Sequence, residues 1–154
     1  MAKEPNFQTQ TRYTFSEYKK YYNAVLWKIR KTPYIVLLLE VVLLGITYFT
    51  RDMTYILGAL MVPIVFRIVF SINAKTNYAK NEKLHDIVFN YEFYGTYLLQ
   101  KSAMGRVRVD YEKIYKVLET ASNFYLMAEG NQGMIIVKEN CSGDLRDFIR
   151  QNII

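Results

Sequence analysis

Two ionisable side chains stand where charge is costly. Glu40 interrupts the apolar run YIVLLLEVVLLGITYF (34–49), and Arg67 interrupts MTYILGALMVPIVFRIVFSI (53–72). An unpaired charge in hydrocarbon costs at least about 2.5–3.5 kcal/mol on insertion scales. At roughly 1.5 Å of helical rise per residue, Glu40 lies about 8–9 Å in from the start of the first run and Arg67 about as far in from the end of the second, which an antiparallel hairpin brings to the same boundary. Their chemistry is therefore mutual: an acid and a base at similar depth on neighbouring helices can pair and fix a register. The alternative is that each snorkels separately to the headgroups. Ion or proton conduction needs a continuous polar path, which one pair on two helices does not make.

Other chemistry-bearing residues are sparse. His85 is the only histidine and Cys141 the only cysteine, so no metal-ligand set of such residues at fixed spacing is present. A Cys–His pair is possible by count alone, but a lone cysteine before a short helix reads as packing. Neither a phosphate-cradling glycine loop nor a serine elbow occurs. Lys101, Arg106 and Arg108 are weak candidates for an anion-binding edge facing a lipid headgroup; the same alternation also describes a solvated strand face. The expectation is a protein that is not an enzyme and needs no cofactor.

The elements that must carry these residues follow from patterning. Both apolar runs reach the roughly 17–25 residues a span needs, and only Arg51 and Asp52 separate them decisively. They predict a two-span transmembrane hairpin, 34–50 and 53–72, because helices apolar all round are not surface helices of a small soluble domain. Lys28, Arg30 and Lys31 precede the first span; Lys75, Lys80 and Lys83 follow the second. Basic residues beside spans stay on the cytoplasmic side. The expected placement is the cell membrane, multi-pass, with both termini cytosolic. Trp27, Tyr34, Tyr48 and Tyr55 fall near the water boundaries, where amphipathic rings collect. Pro63 is expected to kink the second span.

The net charge of +6 is unevenly placed: residues 1–33 carry +5, while residues 73–154 hold eleven basic and ten acidic side chains. A basic arm without a basic domain argues against nucleic acid as a partner. In that arm, YTFSEYKKYYNAVLWKIR reads as a helix. Thr14 is its N-cap, Glu17 completes a capping box, and Tyr13 with Tyr18 can form a hydrophobic staple. Tyr18, Tyr21, Tyr22, Val25, Leu26 and Ile29 recur on one face. Such a helix can lie on an anionic leaflet or pack on the soluble domain. Pro33 is expected to bend the chain at the span. Before the helix, Phe7, Thr9, Thr11 and Tyr13 alternate as in a strand with no sequence-adjacent neighbour.

After the spans the period changes to two. DIVFNYEF, TYLLQKS, RVRVDY, YKVLET, FYLMA and MIIVKE read as six short antiparallel strands. Gly95, Met104–Gly105, Ala121–Asn123 and Gly130–Gly133 mark the turns. SGDLRDFIRQNI is a closing helix capped by Ser142 or Asp144. The fold class is a membrane α-helical hairpin plus α+β: a small antiparallel sheet or barrel with a C-terminal capping helix. Three segments result: 1–33, a strand and amphipathic helix that can complete the C-terminal sheet; 34–72, the hairpin; and 73–154, a cytosolic domain.

The stretch VDYEKIYKVLETASNFYLMAEGNQGMIIVKE, followed by DLRDFI, resembles the YcxB-like family of bacterial membrane proteins. The resemblance rests on the spacing of Tyr111, Ile114 and Val117, on Phe124 to Leu126, and on Ile135 to Lys138. The two spans and the FSEYKKYYNA arm extend it over nearly the whole chain. It implies a pleckstrin-homology-like cytosolic domain on a two-span anchor. Where the family commonly closes its last strand on KxxF, this sequence reads KENC, which puts Cys141 near the aromatic position. The expected function is a scaffold that binds protein or membrane lipid, with an oligomer possible. One alternative, implied by the resemblance, is immunity to a membrane-active peptide such as a bacteriocin. Another is an accessory subunit of a transporter or channel.

Overall fold

The computed structural model describes residues 4–28, 32–128 and 132–153. Their order is β1 (Phe7–Arg12), α1 (Phe15–Lys28), α2 (Thr32–Thr50), α3 (Thr54–Ala79), β2 (Val88–Phe93), β3 (Tyr97–Ser102), β4 (Gly105–Asp110), β5 (Ile114–Glu119), β6 (Asn123–Ala128), β7 (Gln132–Val137) and α4 (Gly143–Asn152). The chain divides into two units. A sheet unit combines the residues up to Glu17 with those from Glu82 onward, and a helical unit, Tyr18–Asn81, is inserted between them. The expected turn at Gly130–Gly133 falls partly on residues 129–131, and Ile29, Arg30 and Lys31 of the arm also lie outside the described residues.

In the helical unit α2 and α3 pack as a hairpin. The chain reverses because Arg51 takes a left-handed conformation (φ 60°) after the last turn of α2. Asp52 then accepts the Thr54 N–H at 2.9 Å, which holds one of the free donors at the start of α3. Pro33 sits in the first turn of α2, where a missing N–H removes no helical bond. Beyond Ile72 the sequence turns polar, yet α3 continues to Ala79; the expected 53–72 boundary marked the end of apolarity, not of the helix. Both helices are long and apolar enough to cross a membrane, and only 11% and 6% of their apolar windows are buried. Core helices of a soluble protein would be mostly covered. Thr14 caps helix α1 as expected, accepting the Glu17 N–H on Oγ1 at 3.3 Å, while the Thr14 N–H donates to Arg12 O at 2.9 Å. Tyr18 meets Tyr78 of α3 at 5.6 Å between ring centroids.

The sheet unit holds two antiparallel sheets, β1-β2-β3-β4 and β5-β6-β7. Among the described residues no strand pairing joins them into a closed barrel. Strand β1 finds its neighbour across the inserted hairpin: its register with β2 runs from Phe7↔Phe93 to Arg12↔Val88. Backbone bonds carry the pairing on, Tyr13 N–H to Ile87 O at 2.8 Å and Asp86 N–H to Tyr13 O at 3.1 Å.

Alternation puts Phe89, Tyr91, Phe93, Leu98 and Val109 of the first sheet into one core with Phe124, Leu126, Ala128, Met134 and Ile136 of the second. Leu145 and Ile149 of α4 join that core, and Phe148 reaches Phe7, Phe93 and Tyr111 at 5.3–6.4 Å between centroids. The Ser142 hydroxyl caps α4, accepting the Leu145 N–H at 3.2 Å. Strand β6 is buried on both faces. On its second face the Asn123 amide donates to Glu17 at 2.5 Å.

The two sheets are also joined through side chains. Thr9 and Thr11 point inward from β1 and are buried. Thr9 donates to Asn140 O at 2.9 Å, and Thr11 Oγ1 accepts the Val137 N–H at 3.3 Å. Replacing Thr11 with valine keeps the shape but orphans that N–H, so stability falls by about 1–3 kcal/mol. The thermal midpoint of full-length Thr11→Val in detergent, followed by circular dichroism, should drop accordingly. Thr11→Ser should hold close to the parent, since it keeps the acceptor.

Candidate functional site

The outer face of the four-stranded sheet carries the anion candidates. Register places Lys101 (β3) opposite Asn90 (β2) on one side and opposite Arg106 (β4) on the other. Gln10 stands opposite Asn90, and Gln8 opposite Glu92. A shallow cleft of about 550 Å³ on this side is lined by Gln8, Gln10, Asn90, Glu92, Lys101 and Asn140, among others; Arg106 is not part of its lining. Asn140 bridges to β1 by donating to Gln10 O at 2.7 Å.

The charges here are largely matched. Lys101 Nζ donates to Glu92 Oε1, and this bond holds the Glu92 carboxyl below its usual range, with Tyr94 and the nearby Arg106 acting in the same direction. Arg108 donates twice to Asp110 Oδ1, at 3.0 and 2.9 Å, and lies 3.9 Å over the Tyr97 ring. Tyr97 stacks on Tyr94 at 4.6 Å, and Tyr94 Oη donates to Glu92 at 3.0 Å. A continuous line of contacts thus crosses the face from Lys101 to Asp110. Arg106 alone of the three cations lacks an ion pair among the described residues. Val107, beside it, is 43% exposed although its alternation partner Val109 is buried. An anion landing here would meet one uncompensated guanidinium and two cations already engaged. Amides on β1, β2 and the turn after β7 make the cleft a polar hydrogen-bonding surface.

Elsewhere the sequence-marked residues fall as follows. Glu40 is half-buried in α2 and Arg67 is exposed in α3. Among the described residues no ion pair joins the two. Arg67 instead lines a groove with Lys19, Asn23 and Trp27 of α1. Cys141 is buried in the sheet core, where burial pushes its thiol up, and its Sγ donates to Val137 O at 3.3 Å. Exposed His85 follows the single turn Glu82–Leu84.

One charged cluster gave no signal in the sequence. Glu119 at the end of β5 accepts from Lys138 Nζ at 2.6 Å and Arg150 Nη2 at 2.7 Å, and Arg150 also reaches Asp147 at 3.1 Å. Lys138 lies 4.6 Å over the Phe124 ring. The cluster fastens α4 across the ends of β5 and β7. Only the folded register brings residues 119, 138 and 150 together.

Comparison of the chain with family models, with curated proteins and with solved structures gives no match.

Hydrogen bonds from Arg150 and Lys138 hold the Glu119 carboxyl at about 2, well below its ordinary 4.5. The shift is downward, so the folded state is favoured by the ionised form. Its contribution is complete above about pH 4.5 and is lost as pH falls from there toward 2. Glu119→Gln should lower the melting temperature at neutral pH. It should also flatten the pH dependence between those limits, and a melt series over that range compares the two proteins.

Proposed function

We propose that this chain is an integral membrane protein in which the α2–α3 hairpin anchors a pleckstrin-homology-like sheet unit at the cytoplasmic leaflet, where its outer face binds a protein partner. The observation that carries the reading is the β1–β2 ladder. Both ends of the inserted helices return to one sheet, so the hairpin's two flanks must occupy one side of the membrane. Two spans satisfy that requirement and one does not. The bare flanks of α2 and α3 support insertion, because exposed apolar surface this extensive is costly in water. Lys28 before the hairpin and Lys75, Lys80 and Lys83 after it favour the cytoplasm for both termini.

The resemblance to the YcxB-like family implies a pleckstrin-homology-like domain, and seven antiparallel strands followed by one helix are compatible with that assignment. The choice of a protein partner rests on the charge pairing of the outer face. A lipid headgroup needs open cations, and Lys101 and Arg108 are engaged. The Gln and Asn side chains around the cleft suit hydrogen bonding to a peptide surface.

Two measurements test this. Reporters fused at the two ends should both read cytosolic, and a cysteine at Asp52→Cys should react with an impermeant maleimide added from outside. Ends reporting from opposite faces would overturn the topology. A photo-cross-linker at Asn90 should give one discrete protein adduct in cells that Glu92→Lys abolishes, whereas the same group at Asp144 gives none. Equal labelling from both positions would remove the outer face as the docking surface.

A further inference from the structure

The groove that holds Arg67 has its own chemistry. It measures about 730 Å³ and lies within the helical unit, between α1 and α3. From α1 it is lined by Lys19, Asn23 and Trp27, and from α3 by Arg67 and Ser71 with apolar neighbours such as Ile68. The spacing is that of two helix faces: 19, 23 and 27 recur every four residues, as do 67 and 71. Neither Lys19 nor Arg67 belongs to an ion pair among the described residues. Arg67 is exposed on a helix apolar enough to cross a membrane. A guanidinium so placed requires a counter-anion or water, and the groove supplies a second cation, an amide, a hydroxyl and the Trp27 ring beside it.

We infer that this groove binds the headgroup of an anionic phospholipid, with Lys19 and Arg67 on the phosphate and the apolar flank of α3 along the acyl chains. The occupant must be anionic, because both charged side chains are cations. It must also be amphiphilic, because the same groove continues into the bare apolar side chains of Ile64 and Ile68. Arg67 contributes a planar fork suited to phosphate. Lys19 contributes a mobile point charge, and Trp27 an indole of the kind that collects at the membrane boundary. This site is distinct from the polar cleft of the sheet unit, where the cations are paired. It rests on the membrane placement proposed above.

The test uses full-length protein in nanodiscs of equimolar phosphatidylcholine and phosphatidylglycerol, with retained lipid counted by native mass spectrometry after release into detergent. The parent should retain phosphatidylglycerol in preference to phosphatidylcholine. Lys19→Gln and Arg67→Gln should each cut that preference about fivefold, while the charge-keeping Lys19→Arg and Arg67→Lys retain most of it. Lys80→Gln, a cation outside the groove, should leave it unchanged. Equal losses from Lys80→Gln would mean general surface attraction and overturn the site, as would no preference in the parent. Inorganic phosphate in excess should not displace the lipid; if it does, and binds equally well in phosphatidylcholine discs, the ligand is free phosphate and the lipid assignment falls. Alkaline carbonate washing of native membranes separates this failure from that of the membrane reading. A chain released by carbonate loses both, whereas a carbonate-resistant chain without lipid preference loses only the groove.

Discussion

The antiparallel ladder between β1 and β2 is the constraint on which the rest depends. Its six register pairs join the segment before the helices to the segment after them, so the intervening chain must leave and return at one edge of one sheet. A flexible connection between Arg12 and Val88 would carry a loop-closure cost that grows with the logarithm of its length. Here most of that connection is helical, and its two long helices double back on each other through Arg51 and Asp52. The reversal brings the ends of the insert toward each other, which lowers the entropic cost of closure relative to a flexible loop of the same length.

Charge is distributed in step with this division. In the sheet unit five cations are engaged by acids of the same unit: Lys101 by Glu92, Arg108 by Asp110, Lys138 and Arg150 by Glu119, Arg12 by Asp86 at 3.3 Å. Several of these pairs are exposed and contribute little stability singly. Their collective effect is to leave the sheet surface close to neutral, as the eleven basic and ten acidic residues of 73–154 foretell. The excess positive charge sits on the arm instead. Cations without an ion pair among the described residues, such as Lys19 and Arg67, are the ones available to a ligand that the protein does not itself supply.

What the sequence discloses and what it withholds follow from the range of each interaction. The hairpin, α1 and strands β2 to β7 are legible because apolar period and turn residues are local signals. Thr14 and Ser142 announce their helices by the same logic. The extension of α3 past Ile72 is less visible, since helical hydrogen bonding propagates after apolarity ends. β6 shows no alternation in burial because both its faces are covered. Ala24, small and unremarked in the pattern of α1, is buried along with Leu26, whereas Tyr18, Tyr21, Tyr22 and Val25 are only half-buried. The site residues illustrate the larger gap. Lys101, Arg106 and Arg108 are readable as cations, but whether each is open depends on Glu92 and Asp110 lying within reach, which is a matter of register. The meeting of Arg67 with Lys19 across two helices leaves no trace in either local pattern.

The composition of β1 makes sense once its partner is known. FQTQTR has strand alternation, yet its buried positions include Thr9 and Thr11, not the aliphatic residues usual in a core strand. This strand precedes the hairpin in the chain, and its partner β2 follows it, so during synthesis β1 waits unpaired while both long helices are made. An apolar strand with a free edge is an aggregation template. Gln8, Gln10 and Arg12 on one face and threonines on the other keep β1 soluble over that interval. The threonine hydroxyls are then engaged in the folded state by Asn140 O and the Val137 N–H, so neither of these two buried hydroxyls is left unsatisfied. A strand built for long-range pairing thus trades hydrophobic burial for hydrogen bonds that form only once the chain beyond the helical hairpin is in place.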